Sequence, residues 1–500
     1  MLPKNLSKKS FLDYLFTLGS LFLVILFLAK LFYLKELKLP LSYDESYYWD
    51  WSRNLDWGYY SKPPMIAWIL ALSTHLLGNS EYAIRLPALI FITLSILVNY
   101  ILILKYFGET LARWTLFTLN FVPLFTIYSF VMTIDPPLIF FWSLSLYFLI
   151  TYLENPTYKR TFLTGLTIGL GLLTKQTMFA FLILTFLYLY IFDKDKLKLK
   201  KTWLIFLISF LVYLPNILWN FQHGFVLFKH TEEHFSRKTV NFFSFFEFLG
   251  GLIVAYSLLW FPLFAFFSIK YLKLLKNFFL KKHLPVLEKF LFQFKILNLF
   301  FIFSFPILAS LLFLSFFIKI NINWIFPFFI SGFLFTIVLS FQKNTTKFLM
   351  FLNVLLAFVL SLFIYILPKN PDYFSPKISA LLNKFLGWIH LAQEVEKVYD
   401  GKTPLVASSR DIASSLAFYL KSHPEIYVVQ LKKYPENQYH LWKKSSELEG
   451  KEILLVKKWL DEPKYLKFPL LIKTVKIEKI GKVENYSIWR GILNLEEGKN

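Results

Sequence analysis

Apolar runs of about 20 residues recur along this chain from Phe11 to Leu367. A helix needs about 20 consecutive apolar residues to cross roughly 30 Å of hydrocarbon, so each run has the length of a transmembrane span. Hydrophobic residues make up 56% of the 500 residues, and a soluble globule of mean hydropathy +0.52 would expose too much apolar surface. The sequence therefore predicts a polytopic, mostly α-helical membrane protein.

The apolar runs predict about eleven spans within residues 1–367, with a first external loop at residues 34–85. The approximate span ranges are 11–33, 86–104, 111–129, 136–153, 161–174, 177–192, 202–219, 244–267, 297–317, 324–341 and 348–367. The first run is too long for a signal-peptide core and lacks a small-residue cleavage site. It is therefore predicted to be a true span.

Lysine and arginine residues crowd several short loops between the predicted spans. Examples are Lys8 and Lys9, Lys159 and Arg160, and the run from Lys194 to Lys201. Basic loops favour the cytoplasmic side, which places the first loop, the loop near Asp135 and the tail on the external, periplasmic side of the cytoplasmic membrane. The formal net charge of +22 then reflects topology and contact with membrane lipids, and it does not indicate nucleic acid.

The tail, residues 368–500, has a different pattern and predicts a small external α/β domain. One face of an amphipathic helix is marked by Trp388, Leu391, Ala392, Val395 and Val398. Downstream, TPLVAS and EIYVVQL are predicted strands that flank a helix capped by Ser409 or Asp411, which gives a βαβ unit. A further strand near Glu452–Val456 and a hairpin about Gly481 complete the predicted domain.

The stretch SYDESYYWDWSRNLDWGYYSKPPMIAW, residues 42–68, carries side chains suited to chemistry at a membrane surface. Asp44 or Glu45 can accept a proton from a sugar hydroxyl, and Lys62 offers a compact cation for a lipid phosphate. Glu45, Tyr59 and Tyr60 are candidate substrate-binding residues, the last two through their hydroxyl groups. The two adjacent carboxylates equally suit the first turn of a helix, where the helix dipole favours negative charge.

Asp135 opens the predicted fourth span in TIDPPLIFF. An ionisable group at the membrane edge needs a partner or a wet cavity, which makes Asp135 a candidate catalytic carboxylate. The structural alternative is a helix cap placed before Pro136 and Pro137. The residues alone leave both interpretations open.

Three histidines in one predicted external loop, His223, His230 and His234, are candidate ligands for a divalent metal ion. Their spacing fits no strong metal motif, so the metal stays a hypothesis and no cofactor is predicted to be required. The absence of cysteine excludes disulfides and thiolate metal sites.

Four phrases in this order, DESYYWDWSRNLDWGYYSKPPMIAW, EYAIRLPALI, TIDPPLIFFW and GLTIGLGLLTKQT, resemble the bacterial branch of the protein O-mannosyltransferase superfamily. This branch includes lipid A aminoarabinose transferases and lipopolysaccharide-core galacturonosyltransferases. The later phrases GWIHLAQEV, SSRDIASSLAFYL and NQYHLW resemble the external domain found in this group. The resemblance implies a GT-C fold, in which the first external loop forms interfacial helices that carry the catalytic acid.

Carried over by position, the resemblance implies that Asp44 and Asp135 are the catalytic aspartates of this family. Contacts with the donor phosphate are implied for three cations, Lys62, Arg85 and Lys175. For Arg85 and Lys175, snorkelling to the interface is the structural alternative. Ser61 stands where the aminoarabinose transferases have an acid, so the resemblance does not carry their donor sugar over to this chain.

The expected function is inverting transfer of a sugar from a polyprenyl-phosphate donor to a lipid, glycan or protein acceptor. Phosphate leaves without needing a proton, so one carboxylate acting as a base suffices. Two alternatives are a transporter or flippase of lipid-linked glycans and a non-catalytic assembly factor. A transporter would favour discontinuous helices, charges near the middle of spans and an internal repeat.

Overall fold

The computed structural model describes residues 18–227, 242–281, 291–432 and 434–495. The helices up to the middle of the chain are α1 Leu18–Glu36, α2 Tyr43–Ser52, α3 Met65–Leu77, α4 Glu81–Phe107, α5 Glu109–Phe121, α6 Pro123–Ile127, α7 Asp135–Glu154, α8 Tyr158–Leu172, α9 Phe179–Phe192, α10 Lys194–Leu197 and α11 Lys200–Gln222. The later helices are α12 Phe242–Tyr256, α13 Trp260–Lys281, α14 Leu291–Ile302, α15 Phe305–Leu314, α16 Phe326–Ser340, α17 Asn344–Ile366, α18 Pro376–Ser379, α19 Trp388–Glu396, α20 Arg410–Tyr419 and α21 Tyr439–Trp442. Short 3₁₀ turns occur at Gln176–Met178, Ile322–Ile325, Pro371–Tyr373, Ala380–Lys384 and Ser445–Leu448.

The chain divides into two compact units. The membrane unit is Met1–Lys35, Arg85–Leu218 and Phe235–Ile364, and the loop–tail unit is Glu36–Ile84, Trp219–His234 and Tyr365–Asn500. The first loop therefore groups with the tail, because α2 packs along α20 within the loop–tail unit. The sequence-based division into a catalytic domain at 1–367 and an external domain at 368–500 stays a prediction.

Seven helices of the described residues are long and apolar enough to cross a membrane, and a bent pair gives an eighth candidate. The chain is thus a multi-pass membrane protein, as its composition predicted. The predicted count of about eleven is not confirmed. Predicted span 111–129 is interrupted at Val122 between α5 and α6, and spans 161–174 and 177–192 are helices of 15 and 14 residues. At a rise of about 1.5 Å per residue, such helices fall short of a hydrocarbon core of about 30 Å.

The predicted span 244–267 is a broken helix pair. Phe242–Tyr256 and Trp260–Asn277 are bent by 103° relative to each other. At the break, Ser257 has a φ of 95°, and its hydroxyl donates to the Asn353 side chain at 2.7 Å. The amide of Leu259 donates to the same side chain at 3.0 Å. The Leu259 bond satisfies a backbone amide that the break removes from the helical ladder.

The tail contains the predicted α/β domain. Its strands are β1 Leu405–Ala407, β2 Tyr427–Val428, β3 Glu452–Lys458, β4 Leu466–Lys479 and β5 Lys482–Leu493, in the sheet order β2-β1-β3-β5-β4. The β1-α20-β2 unit is parallel, and β4 and β5 form the antiparallel hairpin about Gly481 that the sequence predicted. Apolar side chains from β1, β3 and β5, including Val406, Leu455 and Trp489, build a core of this domain.

Candidate active site

The helix α2 begins at a capping box built from Ser42 and Glu45. The Glu45 amide donates to Ser42 Oγ at 3.3 Å, and the Ser42 amide donates to Glu45 Oε2 at 2.9 Å. This reciprocal pair satisfies amide groups that the first turn would otherwise leave open. The carboxylate of Glu45 is fully buried in this role, and its predicted contact with substrate stays a prediction.

Asp44 occupies the same first turn but points to a different partner. Arg410 Nη2, at the start of α20, donates to Asp44 Oδ1 at 3.3 Å, and both side chains are 42% exposed. Burial alone would lower the pKa of Arg410, but Asp44 and the neighbouring tyrosines hold that pKa above its ordinary value. The guanidinium also lies 5.0 Å from the ring centre of Tyr47. A cation from the tail therefore fixes the position of the predicted catalytic carboxylate.

Three further bonds join the tail to α2. Ser414 Oγ donates to the Tyr43 carbonyl at 3.1 Å, and the Gln438 amide donates to the Tyr47 hydroxyl at 2.6 Å. The Tyr439 hydroxyl donates to Asp50 Oδ2 at 2.8 Å. Burial raises the pKa of Tyr439 well above its ordinary value, which keeps this hydroxyl protonated as a donor. The orientation of α2 is thus set by residues more than 350 positions downstream.

Asp50 and Arg53 form an internal ion pair at the end of α2. Arg53 Nη1 lies 3.0 Å from Asp50 Oδ1, and Arg53 Nη2 donates to the carbonyl of His423 at 2.8 Å. Burial raises the pKa of Asp50, and the nearby Arg53 opposes that rise. Both side chains hold the loop against the tail, since each is bonded to a tail residue.

Tyr59 and Tyr60 stabilise the segment that carries Lys62 through ring stacking and hydrogen bonds. Tyr59 stacks on Trp51 at 4.6 Å between ring centres, and its hydroxyl lies 2.9 Å from the Asn54 carbonyl. Burial raises the pKa of Tyr59. The amide of Tyr60 donates to Gln438 Oε1 at 2.6 Å, and the amide of Tyr59 donates to the Lys62 carbonyl at 3.0 Å. Lys62 is half-buried in this segment, in the same unit as Asp44.

Asp135 lies in the membrane unit, and both oxygens of its carboxylate accept hydrogen bonds. Lys175 Nζ lies 2.8 Å from Oδ1, while the Tyr128 hydroxyl and Asn323 Nδ2 both donate to Oδ2 at 3.0 Å. The Asp135 side chain is 2% exposed and the Lys175 side chain 8%. The helix-capping alternative does not describe this site, because Ile134 occupies the N-cap position of α7. The structure thus pairs Asp135, which the sequence predicts to be catalytic, with Lys175, which it predicts to contact the donor phosphate.

The remaining candidates divide between the two units. Arg85 belongs to the membrane unit and is 1% exposed within α4. His223 stacks on Trp219 at 4.0 Å between ring centres in the loop–tail unit, whereas His230 and His234 lie outside the described residues. Within the described ranges, no cluster of three or more histidine, aspartate or glutamate side chains is arranged to hold a metal ion.

Sequence reasoning missed Arg410, Tyr128 and Asn323. Arg410 stands in SSRDIASSLAFYL, but its partner is 366 positions away. Asn323 is separated from Asp135 by 188 positions. No local pattern signals such pairs. Tyr128, seven residues before Asp135, lay close enough to be considered as a partner for that carboxylate.

A family model described as dolichyl-phosphate-mannose-protein mannosyltransferase matches residues 61–219. This range includes Lys62, Arg85, Asp135 and Lys175, and it begins after Asp44. Lipid A galacturonosyltransferase RgtD of Rhizobium johnstonii is 30% identical to the chain over 226 residues, which cover 43% of this chain. The match covers 48% of RgtD, so the chain spans about half the length of this curated relative.

Two crystal structures of ArnT from Cupriavidus metallidurans share the fold of this chain. The apo structure has a TM-score of 0.60 and 14% identity, and the alignment covers 94% of this chain and 98% of ArnT. The structure bound to undecaprenyl phosphate has a TM-score of 0.60 and 15% identity, with 94% and 97% coverage. The likeness to ArnT shows the fold of this chain, and the family model and RgtD each match less than half of it.

Proposed function

We propose that this protein transfers a sugar from a polyprenyl-phosphate donor to a lipid acceptor at the outer face of the cytoplasmic membrane. RgtD is a lipid A galacturonosyltransferase, which supports a lipid acceptor, and the undecaprenyl phosphate bound to ArnT supports a polyprenyl donor. Lysine-rich loops such as 194–201 favour the cytoplasm, which would leave the first loop outside.

The observation that carries the proposal is the contrast between the two candidate carboxylates. Both oxygens of Asp135 already accept bonds from a lysine, a tyrosine and an asparagine. Asp44 is 42% exposed and uses Oδ1 for Arg410. A general base must reach the proton that it removes, so the accessible Asp44 is the better base. Arg410 would orient this carboxylate through their hydrogen bond.

Asp44 would remove the proton from the acceptor hydroxyl as that oxygen attacks the anomeric carbon. The bond between the anomeric carbon and the phosphate oxygen breaks in the same step, and the polyprenyl phosphate leaves with the electron pair. A direct displacement inverts the anomeric configuration. Lys62, which lies in the same unit as Asp44, is the cation proposed to stabilise the departing phosphate.

Asp135 would act through Lys175 in this scheme. A buried lysine without a counter-ion is costly, and the carboxylate at 2.8 Å offsets that cost. The pair therefore holds the Lys175 ammonium group in a fixed position beside Asp135. We propose that the Lys175 ammonium group contacts the donor phosphate during catalysis.

A detergent assay tests the proposed transfer. Purified protein is incubated with radiolabelled polyprenyl-phosphate sugar and lipid A, and the label is followed from donor to acceptor by chromatography. Transfer in detergent supports a glycosyltransferase, because a flippase needs a sealed bilayer. The anomeric configuration of the product, read by NMR, should be inverted. Absence of transfer with every donor and acceptor pair would overturn the proposal.

One observation keeps a flippase as the second candidate. The helix pair Phe242–Tyr256 and Trp260–Asn277 is bent by 103°, and broken helices are frequent in transporters. A flippase would move labelled donor between leaflets of sealed vesicles and leave the sugar on its lipid. The two functions therefore differ in the chemical identity of the labelled lipid at the end of the reaction.

A further inference from the structure

The first half of strand β4 exposes a run of large apolar side chains. Phe468 is 82% exposed, Leu470 60%, Leu471 42% and Ile472 37%. A strand with one buried face alternates between buried and exposed positions. The second half of β4 follows this rule, with Val475 and Ile477 buried. The first half therefore carries apolar surface that the domain core does not use.

Breaks in the ladder between β4 and β5 cause this exposure. The register shifts between Lys467 and Leu470 and again between Leu471 and Lys473. Phe468 has a φ of 51°, a left-handed conformation that a bulky residue rarely adopts without a compensating interaction. A Cβ atom at Gly491 on β5 would lie 3.0 Å from the Lys467 carbonyl oxygen, so glycine permits this close approach. Both strands therefore contribute to the bulge, β4 through the backbone of Phe468 and β5 through Gly491.

The geometry of β4 opposes pairing with another strand. β4 is an edge of the sheet, and an exposed apolar edge would normally attract a further strand. Pro469 lacks an amide hydrogen and the two bulges twist the backbone, both of which interrupt a regular ladder. A second copy of β4 or an extended peptide is therefore a poor occupant. An apolar medium without hydrogen-bonding requirements fits the exposed side chains better.

The charges around this run favour a membrane surface. Residues 463–477 contain four lysines and no acidic residue. Lys473 pairs with Glu394, whereas Lys464 and Lys467 form no ion pair with any residue that the structure describes. Apolar side chains flanked by lysines are typical of segments that lie in the headgroup region of anionic membranes.

We propose that residues 467–473, named here the β4 segment, insert into the headgroup region of an anionic bilayer. Phe468, Leu470 and Leu471 would enter the acyl boundary while Lys464 and Lys467 contact lipid phosphates. The contact would hold the α/β domain at the membrane surface. This role does not depend on the proposed transfer reaction, since it concerns a surface remote in sequence from Asp44.

The absence of cysteine in the chain makes a direct test simple. Phe468→Cys is labelled with an environment-sensitive fluorophore and the full-length protein is reconstituted in vesicles of phosphatidylethanolamine and phosphatidylglycerol. Spin-labelled lipids should quench this probe at least about threefold more strongly than a probe at Glu478→Cys, an exposed position on the same strand. Equal quenching at the two positions would overturn the proposal.

The lysine contribution is tested in the same vesicles. Lys464→Gln with Lys467→Gln should reduce quenching of the probe at position 468 in anionic vesicles and have no effect in phosphatidylcholine vesicles. Both lysines are exposed, so the change should leave the fold intact. Quenching by a second labelled copy of the protein, without quenching by spin-labelled lipid, would show self-association and contradict membrane insertion.

Discussion

Two aspartates in first turns of helices have opposite surroundings. Asp44 in α2 is 42% exposed and pairs with Arg410, whereas the Asp135 side chain in α7 is 2% exposed and accepts from Lys175, Tyr128 and Asn323. Both lie in the first turn of a helix, so the turn alone does not decide the role. The environment separates an accessible carboxylate from one whose two oxygens both accept hydrogen bonds within the protein.

The largest expected effect in this comparison is the loss of turnover in Asp44→Asn. Removal of a general base slows a reaction by about 10²–10⁴-fold, and the amide cannot take the acceptor proton. The rate is measured as label transfer in detergent. The folded state should persist, because the Ser42–Glu45 cap remains. Full turnover by a folded Asp44→Asn protein would remove Asp44 from the mechanism.

The next variant, Lys175→Met, tests whether the buried ion pair between Lys175 and Asp135 stabilises the folded protein. The uncompensated carboxylate should lower the free energy of unfolding by about 3–5 kcal/mol. Denaturant titration in detergent measures this change. Adding Asp135→Asn should restore most of the stability, since the buried charge is then absent. Equal stability of the single and double variants would contradict a tightly coupled pair.

A smaller effect is expected at Arg410, because its pair with Asp44 is partly exposed. Arg410→Gln should reduce kcat by about tenfold, which reflects the loss of one charge-assisted hydrogen bond that aims the carboxylate. Arg410→Lys should recover part of this loss. The KM for donor should change little. A large rise in KM with unchanged kcat would instead indicate that Arg410 binds the donor.

The smallest effect concerns the pH dependence of stability, which His440 should influence from the tail segment that contacts α2. Burial lowers the pKa of His440, although Glu436 opposes this change, and Nδ1 accepts from the Glu436 amide at 3.1 Å. The unfolded state then binds more protons, so the stabilisation is present above about pH 6.5 and is lost as the pH falls below that value. His440→Gln should flatten this slope, measured as the denaturant midpoint between pH 5 and pH 8. An unchanged slope would assign it to other groups.

Local chemistry accounts for what the sequence predicted correctly. Adjacent acids at Asp44 and Glu45 indicated a helix start, and the structure begins α2 at Tyr43 with a capping box. The 3.6-residue period from Trp388 predicted α19, and the glycine at position 481 predicted the hairpin. Each of these signals depends on residues within a few positions of one another.

Contacts between distant segments were not predictable in this way. The pairing of Asp44 with Arg410 and of Asp135 with Asn323 arises from tertiary packing. The span count was not confirmed, for a related reason. Hydropathy detects an apolar run, but the break at Val122 and the bend near Ser257 depend on how neighbouring helices satisfy the backbone.

The contact between α2 and α20 has a consequence for biosynthesis. The ribosome releases α2 long before it has made Arg410, 366 positions later. At about 5–20 residues per second, roughly 20 s or more of translation separate these two events. The first loop therefore lacks its contact with α20 until translation has passed Arg410. Premature termination ahead of α20 would yield a protein whose spans are complete but whose proposed base has no guanidinium beside it.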